Sequence, residues 1–178
     1  MSEKKDVYSK AKSQMRLSER IATFIPGFRG YKEKELRRES DKLIRNHLNL
    51  KLSAVKSDLR AMAQRLSDRR YLDVLTDMDR LIAKMDGVVE KINHASYGYT
   101  GFFDVVKVNE ENLDRMIAFD AELVDNVNSL ATEVAAFKVE LNSGETKNLK
   151  IKIQNLTDKL ADFEGTFDKR EEAILGVT

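Results

Sequence analysis

Asp120 is the residue whose setting asks most of chemistry. It lies between Met116 and Leu123 at a position where the local spacing calls for an apolar side chain. A carboxylate buried there must find a partner or lose its charge. Tyr97, Tyr99, His94 or a basic residue of another helix could supply one. The expected role is to fix the register of packing, as polar seam residues do; a catalytic or ligand role is the alternative. Metal chemistry is poorly served. There are two histidines, His47 and His94, and no cysteine. The lack of cysteine removes disulfides, thiolate nucleophiles, cysteine-zinc sites and iron–sulfur clusters. Carboxylate-bridged metals in bundles need inward Glu and Glu-x-x-His pairs. Glu90 four residues before His94 gives one pair and no second. No glycine-rich phosphate loop and no Gly-x-Ser-x-Gly occurs. The expectation is therefore a non-enzymatic chain with no catalytic residue, no metal, no cofactor and no evident small-molecule substrate.

Charge is the second signal. The chain has 31 Lys/Arg and 30 Asp/Glu, a net +1. That balance hides an asymmetry: residues 1–60 hold 16 basic and 8 acidic side chains, residues 61–178 hold 15 and 22. Such asymmetry suggests an anionic partner for the first third, or association of the two halves. The expected anionic-surface site comprises Arg16, Arg20, Phe24, Phe28, Arg29, Tyr31, Lys32, Lys34, Arg37 and Arg38. Phe24, Ile25, Phe28 and Tyr31, grouped around Pro26 and Gly27, would insert into a membrane interface while the cations read headgroup charge. Arg37, Arg38, Lys42 and Arg45 could instead follow nucleic-acid phosphates, although Glu33, Glu35, Glu39 and Asp41 interrupt that stripe. The plainer alternative is a helix packed on the bundle with its charges in water. A protein partner or self-association is expected in either case.

The third signal is the segment His94–Val108, rich in aromatics and carrying Gly98 and Gly101. It reads either as a plug over the end of the bundle or as a docking patch for a partner or ligand formed by Tyr97, Tyr99, Phe102 and Phe103. Asn109 would cap the helix that follows. The string NHASYGYTGFFDVVKVNEENLDRMIAFD, residues 93–120, resembles a signature of uncharacterised helical proteins of prokaryotes. That resemblance implies a helical fold and brings no activity with it. The layout as a whole is similar to that of the ESCRT-III and phage-shock-protein-A class of membrane-remodelling proteins. Both have an amphipathic start, long helices, a basic first half and an acidic second half.

These residues must be positioned by helices. One proline in 178 residues, with 34% charged and 42% hydrophobic side chains, points to an all-α chain. Apolar residues recur at 3-4 spacing, which predicts amphipathic helices with coiled-coil seams. The seams run Leu48-Leu52-Val55-Leu59-Met62-Leu66, Leu75-Met78-Ile82-Met85-Val89-Ile92, Leu113-Met116-Asp120-Leu123-Val127-Leu130-Val134-Phe137-Leu141, and Leu149-Ile153-Leu156-Leu160-Phe163-Phe167, then Ile174. The expected fold is a single-domain, elongated antiparallel bundle. Residues 1–28 form a basic amphipathic helix, 31–95 two helices with a turn near Ser67–Arg70, 96–108 the linker, and 109–175 a helical hairpin. Ser67 or Asp68, and Thr146, are expected caps, with Gly144 closing the fourth helix. No run of 18 apolar residues exists, and the N-terminus lacks a signal-peptide core. A cytoplasmic chain is expected, peripheral at the inner membrane face if the basic third binds lipid.

Overall fold

The computed structural model describes residues 2–31, 33–99 and 110–175, with side chains for all of these except 2–11, 34, 35, 96–99, 110 and 175. Among the described residues the chain is an all-α helical bundle of α1 (Ser2–Phe24), α2 (Lys34–Asp68), α3 (Leu72–Tyr99), α4 (Glu110–Ser143) and α5 (Leu149–Leu175). Helix α3 continues to Tyr99, four residues into the segment expected to be linker. The chain groups into two compact units where the sequence suggested one domain. Unit 1 takes residues 1–47, 95–124 and 166–178; unit 2 takes 48–94 and 125–165.

The expected seams of α2, α4 and α5 are buried along their whole length, from Leu48 to Leu66, Leu113 to Leu141 and Leu149 to Ile174. In α3 the expected Met78, Met85, Val89 and Ile92 are buried, but the two other expected positions are replaced by neighbours. Val74, Leu81 and Val88 are buried, while Leu75 and Ile82 are half-buried. Both rows of α3 are apolar, so the sequence offered two adjacent stripes and tertiary packing selected between them.

The helix ends follow local chemistry. At the end of α2, Tyr71 N–H donates to the Leu66 carbonyl and Arg70 N–H to the Ser67 carbonyl, both at 2.9 Å. At the end of α4, Glu145 N–H donates to Glu140 O at 2.9 Å and Gly144 N–H to Leu141 O at 3.3 Å. Both are Schellman closures, which put one residue in the left-handed region. That residue is Gly144 in one (φ 85°) and Arg70 in the other (φ 63°). Ser67 and Asp68 therefore close α2 rather than cap α3, and α5 starts behind Asn148, not Thr146. The Asn109 cap lies outside the described residues.

Within unit 2, ion pairs define the neighbours. Asp86 of α3 meets Lys56 and Arg60 of α2; Glu164 of α5 meets Lys84 and Lys91 of α3. Lys138 of α4 meets Asp58 of α2, and Lys152 and Lys159 of α5 meet Glu140 and Glu133 of α4. Consecutive helices α2–α3 and α4–α5 are thus antiparallel neighbours. The pairs Asp77–Lys150 and Lys84–Glu164 advance together along both helices, and Lys91 shares Glu164, so α3 and α5 run parallel.

Candidate functional site

Three helices carry a charged residue in their buried seams, and unit 1 brings the three together. Asp120 is the seam residue of α4. Asp41 continues the α2 seam backwards from Leu48 through Ile44. Arg170 fills the α5 seam between Phe167 and Ile174. All are buried, Asp120 and Arg170 completely. Arg170 Nε donates to Asp120 Oδ1 at 2.5 Å, and its Nη2 donates to Asp41 Oδ1 at 2.8 Å and to the Tyr31 hydroxyl at 3.2 Å. Tyr31 Oη in turn donates to Asp120 Oδ2 at 2.5 Å. Asp41 Oδ2 accepts from Arg45 Nε at 2.8 Å, so this carboxylate also has a partner nearer the surface.

Tyr31 reaches the network because the chain turns sharply after α1. Pro26 cannot continue a helix interior, and Gly27 (φ 90°) and Gly30 (φ 79°) take left-handed geometry that glycine adopts without strain. A Cβ on Gly30 would stand 3.3 Å from Ser18 Oγ. Two side chains of α2 then tie the turn down. Ser40 Oγ donates to Gly30 O and Arg37 Nε to Tyr31 O, each at 2.8 Å. Phe28 packs edge-on against Tyr31 with ring centroids 5.8 Å apart.

The electrostatics are those of a sealed site. Burial pushes the Asp120 carboxyl above its ordinary range, against the pull of Arg170 and the Tyr31 hydroxyl. Burial, with the Asp120 charge beside it, pushes the Tyr31 phenol well above its ordinary value. The phenol therefore stays protonated and donates. Burial alone would lower the Arg170 guanidinium, but the charge of Asp120 opposes it and the net direction is well upward. Arg170 stays charged. Its Nη1 is buried and has no hydrogen-bond partner among the described residues. A buried, paired charge cluster of this kind positions helices; it offers no exposed group to a substrate.

The expected surface residues fare unequally. Ile25, Phe28 and Tyr31 are buried in unit 1, so they are not the inserting residues the sequence suggested; the turn packs inward because Tyr31 anchors it. Phe24 is exposed (43%), as are Arg16, Arg20, Arg29 and Arg38. Arg37 is half-buried and engaged by the Tyr31 carbonyl. Lys32 lies outside the described residues, as does the side chain of Lys34. Of the four cations read as a phosphate stripe, Arg37 and Arg45 are both committed to unit 1. His94 does not reach Asp120. It is exposed and pairs with Glu90 at 3.3 Å. Tyr97 and Tyr99 fall in the last turn of α3 with side chains outside those described, and Phe102 and Phe103 lie outside the described residues. Asp120 takes its partners from a basic residue of another helix, Arg170 of α5, as the sequence allowed, and from Tyr31 of the α1–α2 turn, which it did not suggest.

The charge asymmetry nearly cancels when summed over the segments of unit 1. Residues 1–47 carry 13 Lys/Arg and 7 Asp/Glu, residues 95–124 carry 2 and 6, and residues 166–178 carry 2 and 3. By sequence the net +6 of the first segment is thus set against a net −5 in the others. Sequence reasoning missed Arg170 and Asp41, although both are charges at seam spacing and were findable by that criterion. Tyr31 carried no such signal, because its partner lies 89 residues away. Against known protein families, curated proteins and solved structures the chain gives no match.

Proposed function

We propose that the chain is a non-enzymatic helical interaction protein that offers the basic face of α1 to an anionic surface, a membrane in the first place. One observation carries this reading. The described outer face of α1 presents Lys12, Arg16 and Arg20 at one-turn intervals, flanked by the exposed apolar side chains Met15 (64%) and Phe24. Cations beside exposed apolar groups suit a lipid headgroup layer, each cation contributing about 1 kcal/mol near such a surface. Unit 1 as a whole is close to neutral, so the attraction belongs to a face rather than to net charge. Its range is about one Debye length, roughly 10 Å at 0.1 M salt. Binding is peripheral, since no described helix is long and apolar enough to cross a membrane. The seams of α2–α5 support a scaffold role with coiled-coil packing, and the reading entails a cytoplasmic location at the inner membrane face.

The test is co-sedimentation with phosphatidylglycerol-containing and neutral phosphatidylcholine vesicles at low and moderate salt, with duplex DNA as competitor. The expected result is binding to the anionic vesicles alone, weakened by salt, by Arg16→Glu with Arg20→Glu, and less strongly by Phe24→Ala. Absence of binding to anionic vesicles at low salt overturns the proposal. Binding to DNA with no need for Phe24 transfers the basic face to nucleic acid. If neither binds, the charge balance of unit 1 is internal and the partner is another protein or a second copy.

A further inference from the structure

With no cysteine and no tryptophan in the chain, methionine sulfur is the side-chain group that a peroxide attacks first. There are six methionines. Met62, Met78, Met85 and Met116 are completely buried, whereas Met15 is 64% exposed; Met1 lies outside the described residues. A buried sulfur meets a dissolved oxidant only when its surroundings open. Met15 needs no opening. It sits on the described outer face of α1, next to Arg16 and about one turn after Lys12. Phe24 follows it by about two and a half turns, so the two stand on opposite sides of the cation row. They are the two large exposed apolar side chains among those described on α1.

We propose that Met15 is an oxidant-sensing site: a peroxide converts its thioether to the sulfoxide, which weakens the hold of α1 on the anionic lipid surface, and reduction restores it. The sulfur lone pair takes one peroxide oxygen and the O–O bond breaks. The transferred oxygen gives its hydrogen to the departing hydroxide, which leaves as water. The sulfur is oxidised by two electrons and the peroxide is reduced by two. The return needs a thiol-dependent methionine sulfoxide reductase, in which two thiols become a disulfide and the oxygen leaves as water. The sulfoxide is polar, so it favours water over the acyl boundary in which an apolar side chain of an interfacial helix rests. Helix α1 then keeps its cations and Phe24 but loses one of its two exposed apolar contacts. Most of the Met15 side chain is open to be covered by lipid, and losing that contact is worth roughly 5- to 30-fold in binding. The buried methionines stay as they are, whereas a sulfoxide formed in their place would disrupt the core. The effect on binding rests on the proposed lipid contact; the selectivity of the oxidation does not.

Dilute hydrogen peroxide and peptide mapping of the whole chain test the selectivity. Trypsin leaves each of these methionines in a peptide of its own: Met15 in 13–16, Met62 in 61–65, Met78 in 71–80, Met85 in 85–91 and Met116 in 116–138. Met15 is expected to gain oxygen at least about tenfold faster than the four buried methionines, and urea is expected to level the rates. Equal rates in the native protein overturn the proposal. Vesicle co-sedimentation tests the consequence. The oxidised protein is expected to bind phosphatidylglycerol vesicles roughly 5- to 30-fold more weakly, with reductase treatment restoring the binding. Met15→Gln should imitate the sulfoxide. Met15→Leu should bind like the parent and lose its response to peroxide. A Met15→Leu protein that still responds, or an oxidised protein that binds as well as the reduced one, overturns the switch and leaves the lipid contact standing. If the reduced protein binds no anionic vesicle, the lipid contact and the switch fall together, while the rates from the peptide map stand.

Discussion

The two units solve the problem of a helical interior in opposite ways. In unit 1 the buried residues include Ser40, Asp41, Asp120, Thr166 and Arg170. In unit 2 every buried residue among those described is apolar, and the charges sit on the rim in pairs such as Lys84–Glu164 and Arg60–Asp86. Apolar seams are cohesive but nearly indifferent to a shift of one heptad. Three charges that meet at one level are satisfied in one register only. The difference teaches where specificity resides: unit 2 supplies cohesion, while unit 1 fixes the alignment of α2, α4 and α5 and the position of the turn before them. A buried ion pair is weak evidence for net stability, so its role here is geometric.

Removing the central cation breaks this contrast most severely. Arg170→Met leaves Asp41 and Asp120 buried without their shared donor and is expected to cost about 3–5 kcal/mol, read as a lower urea midpoint with an unchanged slope. The triple variant Arg170→Met, Asp41→Leu, Asp120→Leu is expected to recover part of that loss, because apolar replacement of buried charges is often neutral or stabilising, while the buried Tyr31 hydroxyl is left without its acceptor. If the single variant loses less than about 1 kcal/mol, the network is not dry and the comparison fails. If the triple variant is stable but shows more than one set of amide resonances, the geometric role is upheld.

Tyr31→Phe is a finer cut. It keeps the ring that packs on Phe28 and removes only the hydroxyl that donates to Asp120 Oδ2. The expected loss is about 1–3 kcal/mol, since a buried charged acceptor is left short of a donor. Hydrogen exchange should register it in residues 37–45 and 117–124, with unit 2 seams unchanged; equal losses in both units would mean that they do not open separately.

Periodicity made the helices legible, and in α2, α4 and α5 it identified the buried row residue by residue. It went one stripe wide in α3, where Val74, Leu81 and Val88 compete with Leu75 and Ile82 and only tertiary contacts decide. The site was half legible. Asp120 stood out because a carboxylate interrupts an otherwise apolar seam, and Asp41 and Arg170 break the same rule. What no local pattern contains is that these three meet, or that Tyr31 closes the group across a separation of 139 residues from Arg170. The aromatic turn misled for a related reason. Composition around Pro26 shows amphipathic character, but not whether the apolar side faces lipid or the protein's own interior.

The helix ends offer a milder test of the same separation between local and tertiary causes. Arg70 and Gly144 occupy equivalent positions in two Schellman closures, yet only one is glycine. A non-glycine residue in the left-handed region costs about 1–2 kcal/mol. Glycine's greater unfolded-state entropy returns part of it. Arg70→Gly should therefore raise stability by about 0.5–1 kcal/mol, measured by thermal or urea unfolding. Unchanged or lower stability would show that the Arg70 side chain makes compensating contacts.

The smallest effect probes the rim of unit 2 against the interior of unit 1 through their opposite responses to pH. Hydrogen bonds from Lys91 and Lys84 hold the Glu164 carboxyl below its ordinary value. Burial instead raises Asp120. A group lowered on folding contributes stability above its unfolded value, and that stability is lost as pH falls through the folded value. Glu164 therefore weakens unit 2 on acidification below the ordinary glutamate range. A group raised on folding has the reverse sign, so Asp120 costs stability as pH rises out of the ordinary aspartate range. Carboxyl carbon resonances followed by NMR between pH 2 and 7 should place Glu164 below and Asp120 above their free values. The pairs on Glu164 are part-exposed, so Glu164→Gln should cost under about 1 kcal/mol at neutral pH. Its mark is a flatter acid limb in the stability profile. A Glu164 titration at the ordinary value would show that its pairs with Lys84 and Lys91 are open in solution, in contrast to the closed network around Asp120 in unit 1.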